Sequence, residues 1–184
     1  MIESPADDTL PDSSEDTVHP RNKLNRLSGK QWLYFTRSVL RTTYPSILGH
    51  EQRKKQGGNK PPQLMQHFIE FFTAPGETVL DPFAGAGGTL LGVHLAGRQG
   101  LGIEINPTSI ELYQNVCQSD GIEPMPVMNN DCRIALTDLA DSSVDFVATD
   151  PPYSIRVEHT MSGDGPNTRY DRANRRSGYV NYSE

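Results

Sequence analysis

Thr78-Val79-Leu80-Asp81-Pro82-Phe83-Ala84-Gly85-Ala86-Gly87-Gly88 is the stretch on which the fold turns. A short apolar run ends in an acid, and a turn with three glycines follows before residues 88–96 resume a helical pattern. Glycine permits a tight bend and lets a ligand approach the backbone, so the stretch reads as strand, turn and helix. Upstream, Pro61-Pro62 opens a helix with Leu64, Met65, Phe68, Ile69 and Phe72 on one side, closed by Ala74-Pro75-Gly76. Downstream, a second strand, Gly100-Leu101-Gly102-Ile103-Glu104, leads to a helix over residues 107–117. A third strand near Pro126-Val127-Met128 ends at Asn130-Asp131, and a helix over residues 134–139 precedes a fourth strand at residues 144–149. This alternation predicts an α/β fold, a parallel sheet of about four strands with helices on both faces. Ligands bind such sheets at the carboxyl ends of the strands, where Asp81, Glu104, Asp131 and Asp150 all fall.

Two constellations carry chemistry. In the glycine turn, backbone amides offer donors to an anionic group, and Glu104 at the end of the next strand can accept both hydroxyls of a ribose. A dinucleotide fold places an acid there too, so this pair leaves the ligand open. Leu90 stands where a nicotinamide fingerprint has its last glycine, which argues against that cofactor. The second constellation is Asp150-Pro151-Pro152-Tyr153, directly after an apolar strand. Consecutive prolines remove two donors and stiffen the chain. A carboxylate and a proline carbonyl held together accept from an amino group, while Tyr153 offers a flat face to a base. Two acceptors draw an aromatic amine toward tetrahedral geometry and stabilise the positive charge that grows during its attack.

The chain of 184 residues is one domain's worth of material, and its 16 glycines and 14 prolines suit a turn-rich fold. No apolar run approaches the roughly 20 residues of a membrane span, and the start MIESPADD is unlike a signal peptide. Two cysteines, Cys117 and Cys132, make neither a disulfide framework nor a cysteine-rich metal site, so a reduced, cytoplasmic setting without metal is expected. The net charge of −6 conceals a division along the chain. Residues 1–20 hold six acids and no Lys or Arg, and read as a disordered acidic tail. Residues 21–60 hold ten bases against one acid, read as a short helix carrying Trp32, Phe35, Val39 and Leu40 and then a mobile basic loop with Arg53-Lys54-Lys55. Residues 61–153 form the predicted core. Basic charge gathered in one segment is what binding a phosphate backbone needs; a solvated basic surface has the same composition. Trp32, His50, His67 and His94 read as packing or surface residues.

With these residues quoted, the chain resembles the S-adenosylmethionine-dependent DNA amino-methyltransferases, which methylate N6 of adenine or N4 of cytosine. Residues 81–87 match the family's cofactor motif and residues 150–153 its catalytic motif. Lys60-Pro61-Pro62 with its helix resembles the motif that helps hold the methionine end. The resemblance implies that Asp81, Pro82, Phe83, Gly85 and Gly87, with Lys60 and Pro61, surround the methionine part of S-adenosyl-L-methionine. It further implies Glu104 on the ribose and Asp131 on the adenine. Asp150, Pro151 and Pro152 would hold the target amine, with Tyr153 stacked on a base flipped out of the DNA. No metal is implied. The Asp of the catalytic motif leans toward adenine, whereas residues 27–36 resemble a leader found in a subset whose members often carry Ser there, the form commoner in cytosine-N4 enzymes, so the target base stays open.

A complete catalytic domain of the family has seven strands, and this sequence supplies four. The expectation is a truncated chain, or one whose sheet a missing C-terminal part or a second chain completes, weakly stable or catalytically poor alone. Residues 154–184, with Arg156, Arg169, Arg172, Arg175 and Arg176, read as a flexible loop that begins a target-recognition region. Two alternatives stand beside DNA methylation: methylation of guanine N2 in RNA, and a non-catalytic half-enzyme subunit.

Overall fold

The computed structural model describes residues 17–36, 43–54 and 60–151. Its centre is β1 (Thr78–Asp81), whose Val79 and Leu80 are buried on opposite faces of the sheet. β2 (Gln99–Glu104) lies parallel on one side of β1, with β3 (Val127–Asn129) beyond it, and β4 (Phe146–Val147) lies parallel on the other. The order is β3-β2-β1-β4. The chain therefore reverses direction across the sheet between β1 and β4, the switch point at which doubly wound folds open a crevice.

Helices cover both faces, as the alternation predicts. α3 (Pro62–Phe72), α4 (Gly88–Leu95) and α5 (Pro107–Ser119) lie over the face that carries Val79 and Val127. α6 (Cys132–Ala135) covers the opposite face, where Ala135 packs with Leu80 and Ile103. α4 has no polar stripe. Thr89, Leu90, Leu91, Gly92 and Val93 are all buried, because the helix is sandwiched between the sheet and α3. Gly92 makes that approach possible: a Cβ there would stand 2.6 Å from Met65 Cβ.

Several boundaries move for physical reasons. The helix expected over residues 134–139 begins at Cys132, since the Asp131 side chain accepts from the Arg133 amide and caps it, and it tightens into a 3-10 turn at Leu136–Asp138. β4 is two residues long instead of six, although Asp145 N donates to Thr78 O and Ala148 N to Leu80 O on either side of it. In α3, Met65 and Ile69 enter the core, while Phe72 remains 44% exposed and stacks on Phe146 at 5.2 Å.

The N-terminal layer corrects one expectation. α1 (Gly29–Phe35) forms where predicted, closed by a reciprocal cap in which Ser28 and Gln31 satisfy each other's amides, and Trp32 and Phe35 pack on Phe71. Val39 and Leu40 lie outside the described residues. The stretch read as a mobile basic loop instead contains α2 (His50–Arg53), and Arg53 is only 1% exposed. Its guanidinium donates to the carbonyls of Leu48, Lys60 and Ile47, at 2.8, 3.1 and 3.5 Å. Arg53 is thus a structural clasp rather than a surface charge. Among the described residues no helix is long and apolar enough to cross a membrane, and no cluster of three His, Cys, Asp or Glu could hold a metal ion.

Candidate functional site

At the switch point, where doubly wound sheets open a crevice, the ends of β1, β2 and β4 come together with Lys60 at the head of α3. After β1 the chain turns through Gly85 and Gly87, whose φ values of 51° and 78° are left-handed. The two glycines serve different ends. A Cβ on Gly87 would lie 2.0 Å from the Tyr113 ring, so this position is glycine for packing. A Cβ on Gly85 would meet nothing closer than the Phe83 carbonyl at 4.0 Å, so this side of the turn faces open space. Glu104 locks the turn, one carboxylate oxygen accepting from Gly85 N and the other from Asn106 N, each at 2.8 Å. Ala84 N donates to Ile103 O at 2.9 Å, a second tie between the turn and β2.

Asp81 does not point into the crevice as a free carboxylate. It is 2% exposed and accepts from Phe83 N at 3.0 Å and from the Thr149 hydroxyl at 2.9 Å. Burial pushes its carboxyl above the ordinary value; hydrogen bonds from Thr89, Phe83 and Thr149 oppose that shift, and the neighbouring Asp150 charge adds to it. Pro82 is buried behind the turn and Phe83 is half-buried. The Asp81–Thr149 bond fastens the end of β1 to the residue directly before Asp150.

Asp150 forms an ion pair with the Lys60 ammonium, and both side chains are about one-third exposed. The two are 90 residues apart in sequence. Lys60 is itself held from behind by Arg53, which takes its carbonyl, and that carbonyl would stand 3.2 Å from a Cβ on Gly88. Pro61 supplies the extended cap of α3. A basic clasp, the glycine turn and the acidic corner are therefore in one continuous set of contacts. Pro151 is exposed beside Asp150; Pro152 and Tyr153 lie outside the described residues, as does the arginine-rich segment after them.

Asp131 stands at the end of β3, where it caps α6 and receives the Arg133 guanidinium, which holds its carboxyl below the ordinary range. Asn129 donates to the carbonyls of Glu104 and Ile105, at 2.9 and 3.1 Å, and joins the tips of β2 and β3. The structure thus gathers Lys60, Asp81, Gly85, Glu104 and Asp150 around the crevice. It adds Arg53, Thr149, Asn106 and Tyr113, none of which the motifs singled out. Thr149 had a signal, a hydroxyl abutting the Asp-Pro-Pro corner; Arg53, inside a run of bases, had none.

A family model described as DNA methylase matches residues 7–115, more than half of the chain. The chain is 34% identical over 100 residues to the tRNA (guanine(10)-N2)-dimethyltransferase of Methanothermobacter thermautotrophicus, a match covering 53% of this chain and 29% of that protein. It is 31% identical over 68 residues to the Type II methyltransferase M.MthZI of the same organism, covering 37% and 19%. Among solved structures, TrmN from Thermus thermophilus aligns with 55% of this chain and 31% of its own, at 21% identity and a TM-score of 0.47. The chain spans less than a third of the length of the curated relatives named here.

Proposed function

The chain belongs to the DNA methylase family, the N6/N4 methyltransferases, and we propose that it transfers a methyl group from S-adenosyl-L-methionine to the exocyclic amine of adenine or cytosine in DNA. The observation that carries this reading is the Asp81–Thr149 bond. It seats the glycine turn, open at Gly85, beside a carboxylate corner at the switch point of a parallel sheet.

The residues present fit an adenosyl sulfonium cofactor. Gly85 leaves room for close approach, and Glu104 stands one strand away at the place a ribose diol is held in such folds. When bound, the cofactor supplies an electrophilic methyl on a sulfonium sulfur. Everything else is the work of this chain. Asp150 accepts one N–H of the target amine and the Pro151 carbonyl the other, which draws the lone pair out of conjugation with the ring. The Asp150 carboxylate then stabilises the charge that grows on nitrogen. The Lys60 ammonium occupies that carboxylate in the free chain, so the incoming amine must share or displace it. Asp81 acts through Thr149 as a positioning residue. Asp131 at the adenine and Tyr153 against the flipped base complete the reading.

A second reading has one observation in its favour: the tRNA (guanine(10)-N2)-dimethyltransferase is 34% identical over the stretch it shares with this chain, and the same acceptor pair suits guanine N2. Methyl transfer from labelled cofactor to DNA and to tRNA, run in parallel, separates the two. DNA should be labelled, and Asp150→Ala should lower the rate by about 10²–10³-fold, the scale of losing one aimed electrostatic group. Labelling of tRNA alone would replace the DNA reading with the RNA one.

A further inference from the structure

Away from the crevice, the N-terminal layer holds a cleft of about 460 Å³ whose lining includes Arg21, Lys23, Leu24, Leu27 and Trp32. Its frame is rigid. Asn22 Oδ1 accepts from the amides of Leu24 and Asn25, and Asn22 Nδ2 donates to Asn25 Oδ1 and Leu27 O. Asn25, 3% exposed, receives the Trp32 indole N–H at 3.2 Å and donates to the Phe71 carbonyl at the end of α3. The indole is thereby fixed against Phe71, with ring centroids 4.7 Å apart, while it lines the cleft.

The charged side chains that line this cleft have one sign. Residues 17–36 carry Arg21, Lys23, Arg26 and Lys30 and no Asp or Glu, whereas residues 60–151 carry twelve acids against three bases. Arg21, Lys23, Arg26 and Lys30 are exposed, and none forms an ion pair among the described residues. An apolar floor with an aromatic side chain beneath cations that have no ion-pair partner among the described residues matches a nucleic-acid strand, whose bases offer flat faces that stack and whose phosphates are anionic. An apolar peptide would leave the cations without partners.

We infer that this cleft is a DNA-strand contact, in which Arg21 and Lys23 hold phosphates and Trp32 lies under a sugar or base. The choice of DNA rests on the function proposed above. α3 separates the cleft from Lys60, and its 11 residues span about 16 Å, or about five nucleotides at 3.4 Å each. Contacts at that remove fix the register of a strand whose target base enters the crevice.

Trp32 is the sole tryptophan of the chain, so its emission reports on this cleft directly. The test is titration of the full chain, without cofactor, with a single-stranded DNA dodecamer, following tryptophan emission and the anisotropy of the labelled strand together. Saturable quenching should accompany binding. Arg21→Gln with Lys23→Gln should weaken affinity about tenfold near 0.1 M salt and lower the log–log salt slope by about 1.4, with the circular dichroism of the chain unchanged. Binding without quenching, an unchanged slope in the double variant, tighter binding of the same sequence as RNA, or equal quenching by polyglutamate would each overturn the inference. Methyl transfer to DNA without quenching would sink this contact and leave the proposed activity standing. Quenching without transfer would do the reverse.

Discussion

The glycine turn and the Asp150 corner sit at the ends of neighbouring strands, yet they are held by different means. The turn is held locally: two left-handed glycines, a Tyr113 ring pressed against Gly87, and one carboxylate from the adjacent strand. The corner is held from afar, through Thr149 on Asp81 and through Lys60, which comes from the head of α3 with Arg53 behind it. A loop held by the strand and helix that follow it is formed once β2 and α5 have docked. A remotely held one exists only when several elements have docked, so it is the part of the crevice that substitutions in distant elements reach.

The largest break in that comparison should come at Gly87. Gly87→Ala puts a Cβ into the Tyr113 ring at a left-handed φ and should destabilise the chain by about 3 kcal/mol, a fall in Tm of about 6–12 °C for a chain of this size. Gly85→Ala, two residues away, has room for its Cβ and should cost about 1 kcal/mol, the strain of φ alone, while weakening cofactor binding measured calorimetrically. Equal effects at the two positions would erase the distinction between a packing glycine and an access glycine.

Next in size is Arg53→Met. It keeps the buried stem but abandons three carbonyls, and a loss of about 3 kcal/mol or somewhat less is expected in urea unfolding. Activity should fall with it, because the Lys60 carbonyl loses its anchor. Lys54→Met, on the next residue, should leave both unchanged. Thr149→Val removes one hydroxyl from Asp81 and should cost about 1 kcal/mol, with a larger relative loss in methyl transfer than in cofactor affinity, since the turn keeps its own supports.

The smallest effect is a matter of sign. Burial raises Asp81 above its ordinary value of 3.8, so the native state keeps this proton longer than the unfolded chain does. That contribution to stability is full below 3.8 and is lost as pH rises through the raised value. Asp81→Asn cannot lose it, so the variant should gain on the parent as pH rises from 4 toward neutrality in urea unfolding. Asp131 has the opposite sign: Arg133 lowers it, so its contribution is present above 3.8 and lost on acidification. Its substitution should matter less, because its partner Arg133 is 78% exposed and the attraction is screened by solvent.

The elements were largely legible in the sequence, because each rests on neighbours along the chain. Pro61-Pro62 starts a helix and glycines after an apolar run make a turn, all within a few residues. Ends were less legible: α6 starts early because of one capping aspartate, and β4 shortens to the residues paired with Val79 and Leu80. Arg53 was misread because a run of bases looks alike whether solvated or buried, and only the docking of α2 and α3 presents it with three carbonyls. Trp32 was read as packing, and it is; its place in a basic cleft follows from the hold of Asn25 on α3.

By itself, then, the order of residues determined the alternation of strands and helices, the glycine turn, the acids at strand ends and the uneven charge. Those features depend on backbone chemistry and periodicity over a few residues. The tertiary structure alone decided that Asp81 is a buried brace, that Lys60 meets Asp150 across 90 residues, and that Arg53 faces inward. Such pairings arise only when the crossovers of the sheet bring distant segments within hydrogen-bond reach, and no local pattern encodes which partner will be there.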